Sequence, residues 1–242
     1  MPAVFVHGVP ETPAVWDPLI GHLSRTDVVA LQLPGFGCPL PEGFEPTKER
    51  YAEWLIGELV DLDDVDLVTH DWGALLMIPA VADDRVQVRS WATDGGDLDD
   101  SFQWHDMART WQTPGEGEAF MDAMVGASDD DRAALLIGSG VPESGAGPMA
   151  AGLDRTMADA ILTLYRSATE IGREWGPLIE QLDGPGLLVE SMQDPFRAAG
   201  RVAALAARTG AHVARLADAG HWWMLEEPAG AATTLEEFWA AL

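Results

Sequence analysis

Cysteine, basic side chains and long apolar runs are all scarce in this 242-residue chain. Cys38 is the only cysteine, so the chain cannot form an internal disulfide, and we expect a reducing, cytoplasmic location. No uncharged apolar run approaches the about 18 residues that a membrane-spanning helix needs. The sequence therefore predicts no membrane span.

The balance of charge is strongly one-sided. The chain has 14 basic and 40 acidic residues, which gives a formal net charge of -26. A field of this sign repels nucleic acid and anionic membranes, so we expect neither as a partner. It also disfavours an anionic substrate unless an arginine compensates locally. Most of the charge is expected to form a well-solvated surface on a monomer or a homodimer.

The apolar residues, 47% of the chain, are sufficient for a full core. Short apolar strands alternate with helical patterns, which predicts an α/β fold with a mostly parallel sheet covered by helices on both faces. The expected strands are residues 3–6, 27–33, 66–69, 86–92, 186–191 and 211–216. The expected helices are residues 12–23, 48–60, 72–82, 198–208 and 233–242.

One long segment interrupts this alternation. Residues 95–183 show helical patterns rich in Trp and Met and no clear strand, and they are too many for a plain loop. We interpret them as a helical cap inserted into a core domain formed by residues 1–94 and 184–242. Within the cap, the Gly-, Pro- and Ser-rich residues 138–152 predict a mobile joint.

The most informative motif follows the third expected strand. Leu67, Val68 and Thr69 lead into the polar residue Asp71, with Gly73 two places further on and an apolar helix behind it. This layout is typical of a nucleophile elbow, a sharp turn between strand and helix that holds one side chain upright. A helix N-cap would also favour aspartate here. At an elbow, a carboxylate suits attack on an sp³ carbon, with an alkyl ester left on the protein.

Further motifs occur in a characteristic order around this elbow. Together the motifs resemble the α/β-hydrolase superfamily, and within it the branch of epoxide hydrolases and haloalkane dehalogenases. The resemblance covers nearly the whole chain and implies the α/β-hydrolase fold. It rests on His7-Gly8-Val9-Pro10-Glu11, Leu33-Pro34-Gly35-Phe36-Gly37, Thr69-His70-Asp71-Trp72-Gly73, Gln193-Asp194-Pro195-Phe196 and Ala219-Gly220-His221-Trp222-Trp223.

The resemblance implies a role for each matching position. Asp71 corresponds to the nucleophile and His221 to the base that activates water. Asp194 corresponds to the acid that orients His221, with Asp94 as a rival because some relatives place their acid after the fourth strand. The backbone N–H groups of Val9 and Trp72 would form the oxyanion hole. His7 and His70 are expected only to support these turns.

The leaving group is decided by residues of the expected cap. Epoxide hydrolases usually protonate the epoxide oxygen with two tyrosines; here Tyr165 resembles one of them, and His105 is a candidate for the other. A dehalogenase would instead surround a halide with N–H donors, for which Trp72 and either Trp104 or Trp111 are candidates. No cofactor and no metal is expected.

These considerations give one leading hypothesis and two alternatives. The leading hypothesis is an epoxide hydrolase that forms a vicinal diol from a small to medium apolar substrate and water. The alternatives are a haloalkane dehalogenase and a non-hydrolytic ligand-binding or natural-product-tailoring member of the fold, since fold does not fix function. Thr69 departs from the family, which usually has a very small residue two places before the nucleophile.

Overall fold

The computed structural model describes residues 1–242 and is built on one sheet of six parallel strands. The order of the strands in the sheet is β2-β1-β3-β4-β5-β6. This confirms the predicted α/β-hydrolase fold, with a parallel sheet flanked by helices. The strands are β1 (Ala3–Val6), β2 (Val28–Leu31), β3 (Val65–Thr69), β4 (Val88–Thr93), β5 (Gly186–Ser191) and β6 (His212–Leu216).

Burial along the strands follows their position in the sheet. Every residue of β1 and β3 is buried, because both strands lie in the middle of the sheet and have helices on both faces. The edge strands β2 and β6 are largely half-buried or exposed. The apolar side chains of the two faces form two separate buried clusters.

The helices connect these strands and cover the sheet. They are α1 (Asp17–Ile20), α2 (Lys48–Leu59), α3 (Trp72–Val81), α4 (Asp106–Gln112), α5 (Glu116–Gly126), α6 (Asp129–Gly138), α7 (Glu143–Gly152), α8 (Arg155–Ser167), α9 (Ile171–Trp175), α10 (Arg201–Thr209), α11 (Trp223–Glu226) and α12 (Pro228–Ala240). Two 3₁₀ turns cover Pro13–Trp16 and Gly176–Gln181. None of the helices is long and apolar enough to cross a membrane.

The prediction of one helix over residues 12–23 is wrong. A 3₁₀ turn (Pro13–Trp16) and the four-residue helix α1 take its place. Each begins with a proline in its first turn, Pro13 and Pro18 respectively. Proline lacks the N–H that a helix interior needs and is tolerated where a helix begins, so Pro18 starts a new element.

Between β4 and β5 the chain forms helices α4 to α9 and a 3₁₀ turn, without a strand. Helix α8 packs its apolar side, including Met157, Ile161 and Tyr165, into the cluster on one face of the sheet. Helices α6 and α7 pack into the other cluster beside Trp222. This segment is therefore attached to both clusters, and its treatment as a separate cap domain over residues 95–183 stays a prediction.

The expected joint at residues 138–152 is largely a helix. Helix α7 occupies Glu143–Gly152, and its small residues allow a close approach to the C-terminal part of the chain. A Cβ atom at Gly145 would lie 2.4 Å from a methyl carbon of Leu225. Ala146, Met149 and Ala150 are buried in the same cluster. Glycine and alanine thus serve packing in this helix, and the mobility of the joint stays a prediction.

A buried carboxylate fixes the amino-terminal end of the central strands. The side chain of Asp66 in β3 is fully buried and accepts hydrogen bonds from Arg25, Arg89 and Ser90 at 2.6–2.9 Å. Burial alone would raise the pKa of Asp66, but the bonds from Arg89, Ser90 and Arg25 leave it below its usual value. This network ties β3 and β4 to the turn before β2.

The opposite, carboxyl end of the sheet is where a site can form. Strand β1 lies between β2 and β3, so the chain builds the sheet outward in both directions from β1. In open parallel sheets, the crevice at such a switch point is the usual ligand site. The polar motifs of the sequence all follow the carboxyl ends of strands and therefore meet at this edge.

Candidate active site

Asp71 occupies a strained turn between β3 and α3. Its backbone has φ 48° and ψ −114°, a conformation that residues with a side chain rarely adopt. The side chain makes no capping hydrogen bond to α3, so it does not serve as a helix cap. A strained residue at a strand-to-helix turn is the geometry of a nucleophile elbow, with the carboxylate directed into a cavity.

The elbow requires glycines where backbones approach closely. A Cβ atom at Gly73 would lie 2.4 Å from the carbonyl oxygen of Val6, and one at Gly8 would lie 2.4 Å from the Asp71 side chain. Thr69, in place of the usual very small residue, is fully buried, with its hydroxyl 3.4 Å from the carbonyl oxygen of Ala92. The departure at Thr69 is therefore accommodated within the sheet.

The two oxygens of the Asp71 carboxylate have different partners. Oδ1 accepts a hydrogen bond of 2.8 Å from the backbone N–H of Val9. Oδ2 lies 3.9 Å from Nε2 of His221. Burial raises the pKa of Asp71 above its usual value, and the charges of His221 and His70 act against that increase. Oδ1 is thus held by the backbone, while Oδ2 has no such bond and faces the histidine.

His221 is oriented by Asp194. Its Nδ1 lies 3.0 Å from Oδ2 of Asp194, and its ring packs against Phe196 and Trp222 with centroids 4.9 Å apart in each case. Burial would lower the pKa of His221, but the hydrogen bond to Asp194 and the charges of Asp194 and Asp71 leave it raised. The structure therefore brings Asp71, His221 and Asp194 together in one chain of contacts.

Asp94 has other partners. Its Oδ2 bonds Nδ1 of His70 and the indole N–H of Trp223, and its Oδ1 accepts a 3.2 Å hydrogen bond from the N–H of Asp71. Of the two candidate acids, only Asp194 is hydrogen-bonded to His221. Asp94 therefore binds the backbone of the turn that carries Asp71.

A group of charged residues whose mutual contacts the sequence did not indicate lies beneath the elbow. Glu11, His70 and Asp94, which we call the buried ion cluster, have exposures of 0%, 0% and 6%. Glu11 accepts hydrogen bonds from the N–H of Gly8 at 2.8 Å and from the indole N–H of Trp222 at 2.7 Å. The cluster therefore contacts the turns that carry Val9, Asp71 and His221. Glu11, in the turn that follows β1, was the available sequence signal.

A cavity of about 910 Å³ opens above Asp71 and His221. Val9 and Asp194 also line it, whereas the Trp72 side chain is fully buried and does not line it. The N–H of Trp72 is the first of helix α3 and has no partner within the helix. Most of the wall is apolar and includes Met107, Trp111, Phe120, Met121, Met124, Leu153 and Ile161.

Two potential proton donors line this cavity. Burial raises the pKa of Tyr165 well above its usual value, so its hydroxyl keeps its proton at neutral pH. His105 caps helix α4, because its Nδ1 accepts a 3.2 Å hydrogen bond from the N–H of Ala108. Burial also lowers the pKa of His105, so the ring is neutral, and its single proton must be on Nε2.

The candidate tryptophans differ in the availability of their indole N–H groups. That of Trp104 donates to the carbonyl oxygen of Ala168 at 2.8 Å and is not free for a halide, so this prediction for Trp104 is wrong. Its ring still lines the cavity and stacks on Trp72. The indole nitrogens of Trp72 and Trp111 are buried without a hydrogen-bond partner, and both rings pack edge-on against Tyr165.

No group of three or more His, Cys, Asp or Glu side chains is arranged to hold a metal ion. The expectation that the protein needs neither a metal nor a cofactor stays a prediction. The polar groups around Asp71 are hydrogen-bond donors, carboxylates and histidines.

The profile of the alpha/beta hydrolase family matches residues 3–234. The chain belongs to the alpha/beta hydrolase family. No protein in a search of curated sequences matches it significantly. Hydrolases of several kinds share its fold.

Among solved structures, a loop variant of a haloalkane dehalogenase from Bradyrhizobium elkanii is 19% identical, with a TM-score of 0.76 over 99% of this chain and 90% of the other. The Cif epoxide hydrolase from Acinetobacter nosocomialis is also 19% identical, with a TM-score of 0.78 over 98% and 82%. A thermophilic esterase from Thermogutta terrifontis is 18% identical, with a TM-score of 0.77 over 100% and 90%. At these identities the likeness concerns the fold alone.

Proposed function

We propose that this protein is a hydrolase that attacks an sp³ carbon with Asp71, and that its substrate is an apolar epoxide, which it converts to a vicinal diol. The observation that carries the proposal is that the two oxygens of the Asp71 carboxylate have different partners. Oδ1 is bound by the N–H of Val9, and Oδ2 is 3.9 Å from His221 Nε2, whose Nδ1 is bound to Asp194. A serine-type mechanism has no nucleophile at this elbow.

In the first step, Oδ2 of Asp71 forms a bond to an epoxide carbon as the carbon–oxygen bond of the ring breaks. The departing oxygen takes a proton from the hydroxyl of Tyr165, and the Nε2–H of the neutral His105, which also lines the cavity, can donate a hydrogen bond to it. The product is a neutral hydroxyalkyl ester on Asp71. General acid catalysis of this kind contributes about 10²- to 10⁴-fold in rate.

In the second step, Nε2 of His221 takes a proton from water, and the resulting hydroxide attacks the Asp71 ester carbon. Negative charge then collects on Oδ1, beside the N–H of Val9. Collapse of this intermediate expels the diol oxygen, which receives the proton from His221, and leaves Asp71 as a carboxylic acid. The proton of that acid returns to the deprotonated Tyr165, which restores both the carboxylate and the donor. One oxygen of Asp71 then comes from water.

The cavity supports an apolar substrate of medium size. Its volume of about 910 Å³ is near the upper end of the usual range for small-molecule sites, roughly 300–1,000 Å³. The methionines and aromatic side chains of its wall offer dispersion contacts and few polar partners.

Haloalkane dehalogenation is the second candidate, because two indole N–H groups near Tyr165, those of Trp72 and Trp111, are buried without partners. A halide leaving group needs such donors and no proton. The first half-reaction would again place an alkyl ester on Asp71, so the two candidates differ only in what leaves.

The experiment combines a trapping variant with a panel of epoxides and haloalkanes. In His221→Ala the ester should form and persist, which raises the intact mass of the protein by the mass of the added substrate fragment. His212→Ala, which removes an exposed histidine on β6, is the control and should turn over normally. Diol formation with epoxides supports the proposal, and halide release alone supports the second candidate. Turnover in His221→Ala with no ester, or tight binding without either product, would contradict both.

A further inference from the structure

His70 has a carboxylate at each nitrogen of its ring. Nδ1 bonds Oδ2 of Asp94, and Nε2 lies 3.1 Å from Oε1 of Glu11. A ring that faces an acceptor at both nitrogens carries a proton on both and is therefore an imidazolium. Burial would lower the pKa of His70, but the charges and hydrogen bonds of Asp94 and Glu11 raise it well above its usual value.

His7, the other fully buried histidine of this region, is uncharged. Nε2 of His7 accepts a 3.2 Å hydrogen bond from the N–H of Leu33, and its Nδ1 donates to the carbonyl oxygen of Gly8 at 2.8 Å. Burial lowers the pKa of His7 to about 4. His7 is thus a neutral histidine of equal burial, and it provides a matched comparison for His70.

The charge on His70 lies directly beside the proposed base. The ring centroids of His70 and His221 are 4.6 Å apart, with a tilt of 55°. The other charged or titratable groups that act on His221 or that it acts on are Asp194, Asp71, Asp94 and His105. Asp194 and Asp71 favour protonation of His221, whereas His70 opposes it. Only unprotonated His221 can accept a proton from water.

We propose that His70 is a positioning residue, held as an imidazolium between Glu11 and Asp94, whose charge opposes protonation of His221 and so favours the unprotonated form that the hydrolytic step requires. The proposal rests on the function proposed above. The proposal explains why a charged residue is buried beneath the elbow, where an apolar residue of similar size could fill the same space. The two carboxylates offset the cost of that burial.

The same three residues hold the reacting groups in place. Glu11 binds the N–H of Gly8, next to the oxyanion donor Val9, and Asp94 binds the N–H of the nucleophile Asp71. The two indoles that follow His221 in the chain, Trp222 and Trp223, donate to Glu11 and Asp94 respectively. His70 joins the two carboxylates and so connects these contacts.

The test measures the protonation of individual histidines by ¹⁵N NMR on the resting protein, with ¹⁵N-histidine incorporated. The chain has six histidines, and each single variant removes one set of signals. In the wild type, His70 should keep both nitrogens protonated at pH 8 while His221 titrates. In His70→Asn, the pKa of His221 should rise by about 1 unit, because a like charge within about 6 Å has been removed. His7→Asn removes a neutral histidine and should leave the pKa of His221 unchanged.

A neutral His70 at pH 8, or a His221 pKa that is the same in wild type and His70→Asn, would overturn the proposal. An equal rise in His7→Asn would also overturn it, because it would show a general effect of disturbed packing. Should His70→Asn not fold, the wild-type spectrum still decides the charge of His70. None of these measurements needs a substrate, so their outcome is independent of whether Asp71 forms an ester, which the His221→Ala experiment tests.

Discussion

Replacement of Asp194 by asparagine exchanges one oxygen for an NH₂ group, and the contacts of Asp194 determine which way that group points. Oδ1 of Asp194 accepts a 2.8 Å hydrogen bond from the N–H of Phe196, while Oδ2 is 3.0 Å from Nδ1 of His221. The Phe196 N–H can be satisfied only by an oxygen. The asparagine must therefore turn its NH₂ group toward His221.

An NH₂ group next to Nδ1 forces that nitrogen to act as an acceptor, so the proton of neutral His221 moves to Nε2. In this tautomer Nε2 cannot take a proton from water. Loss of the correct tautomer through the same substitution in other acid–histidine pairs costs about 10⁴-fold in rate. We therefore expect hydrolysis of the Asp71 ester to slow by about 10³- to 10⁴-fold, which corresponds to about 4–5.5 kcal/mol of activation free energy.

The assay follows ester formation and decay separately, by rapid quenching and intact-mass measurement after mixing with a slight excess of epoxide. Asp194→Asn should form the ester and then hold it. Asp94→Asn, the matched substitution at the other candidate acid, leaves the contact between His221 and Asp194 intact and should slow ester decay far less. The reasoning is refuted if Asp194→Asn decays within tenfold of wild type, or if Asp94→Asn is the variant that accumulates ester.

Three further predictions concern the donor, the base and the fold. Tyr165→Phe should slow ester formation from epoxides by about 100-fold or more, because the hydroxyl that protonates the leaving oxygen is lost, and it should leave any halide release intact. Stopped-flow kinetics with both substrate classes measure the two rates, and an unchanged epoxide rate would exclude Tyr165 as the donor. In the resting protein His221 should titrate with a midpoint above 6.5, since the hydrogen bond to Asp194 and the charges of Asp194 and Asp71 outweigh burial in setting its pKa; a midpoint below 6.5 in a ¹⁵N NMR titration would contradict this. Asp66→Ala should lower the free energy of unfolding in urea by about 1–3 kcal/mol, because the buried hydroxyl of Ser90 and the half-buried guanidinium groups of Arg25 and Arg89 lose their acceptor. The exposed pair of Asp83 and Arg85 should be worth less than about 1 kcal/mol, and equal losses in Asp66→Ala and Asp83→Ala would count against this.

The sequence was sufficient where local pattern and fold agree. Strand β5 occupies the predicted residues 186–191, and α2 ends one residue before its predicted end. Both carry a clear signal, a short apolar run in the first case and an apolar stripe with helical periodicity in the second. The fold class followed from the alternation of such elements.

The sequence was insufficient where small residues or prolines have more than one use. Glycine and alanine at residues 143–152 resemble a loop by composition, but they form α7 because they allow contact with Leu225. Pro18 divides the helix expected over residues 12–23. Packing against a distant residue accounts for the first case, and the missing N–H of one proline accounts for the second. Neither changes the pattern of apolar residues along the sequence.

The site shows the same limit. Motif order placed Asp71, Val9 and His221 near one another, but it could not choose between Asp194 and Asp94, which both follow strands. The buried ion cluster was missed because its bonds join residues far apart in the chain, such as Glu11 and Trp222. A histidine beside a nucleophile has no local sign of whether it is charged.

The central claim, that Asp71 forms a covalent ester, is tested most directly by a single turnover in ¹⁸O-water with enzyme in excess over epoxide. Mass analysis of the peptide that contains Asp71 should then show one ¹⁸O in its carboxylate, because the oxygen lost to the diol is replaced from water. The diol formed in that turnover should carry no label. A labelled diol with an unlabelled Asp71 peptide would mean that water attacks the substrate directly and would contradict the account.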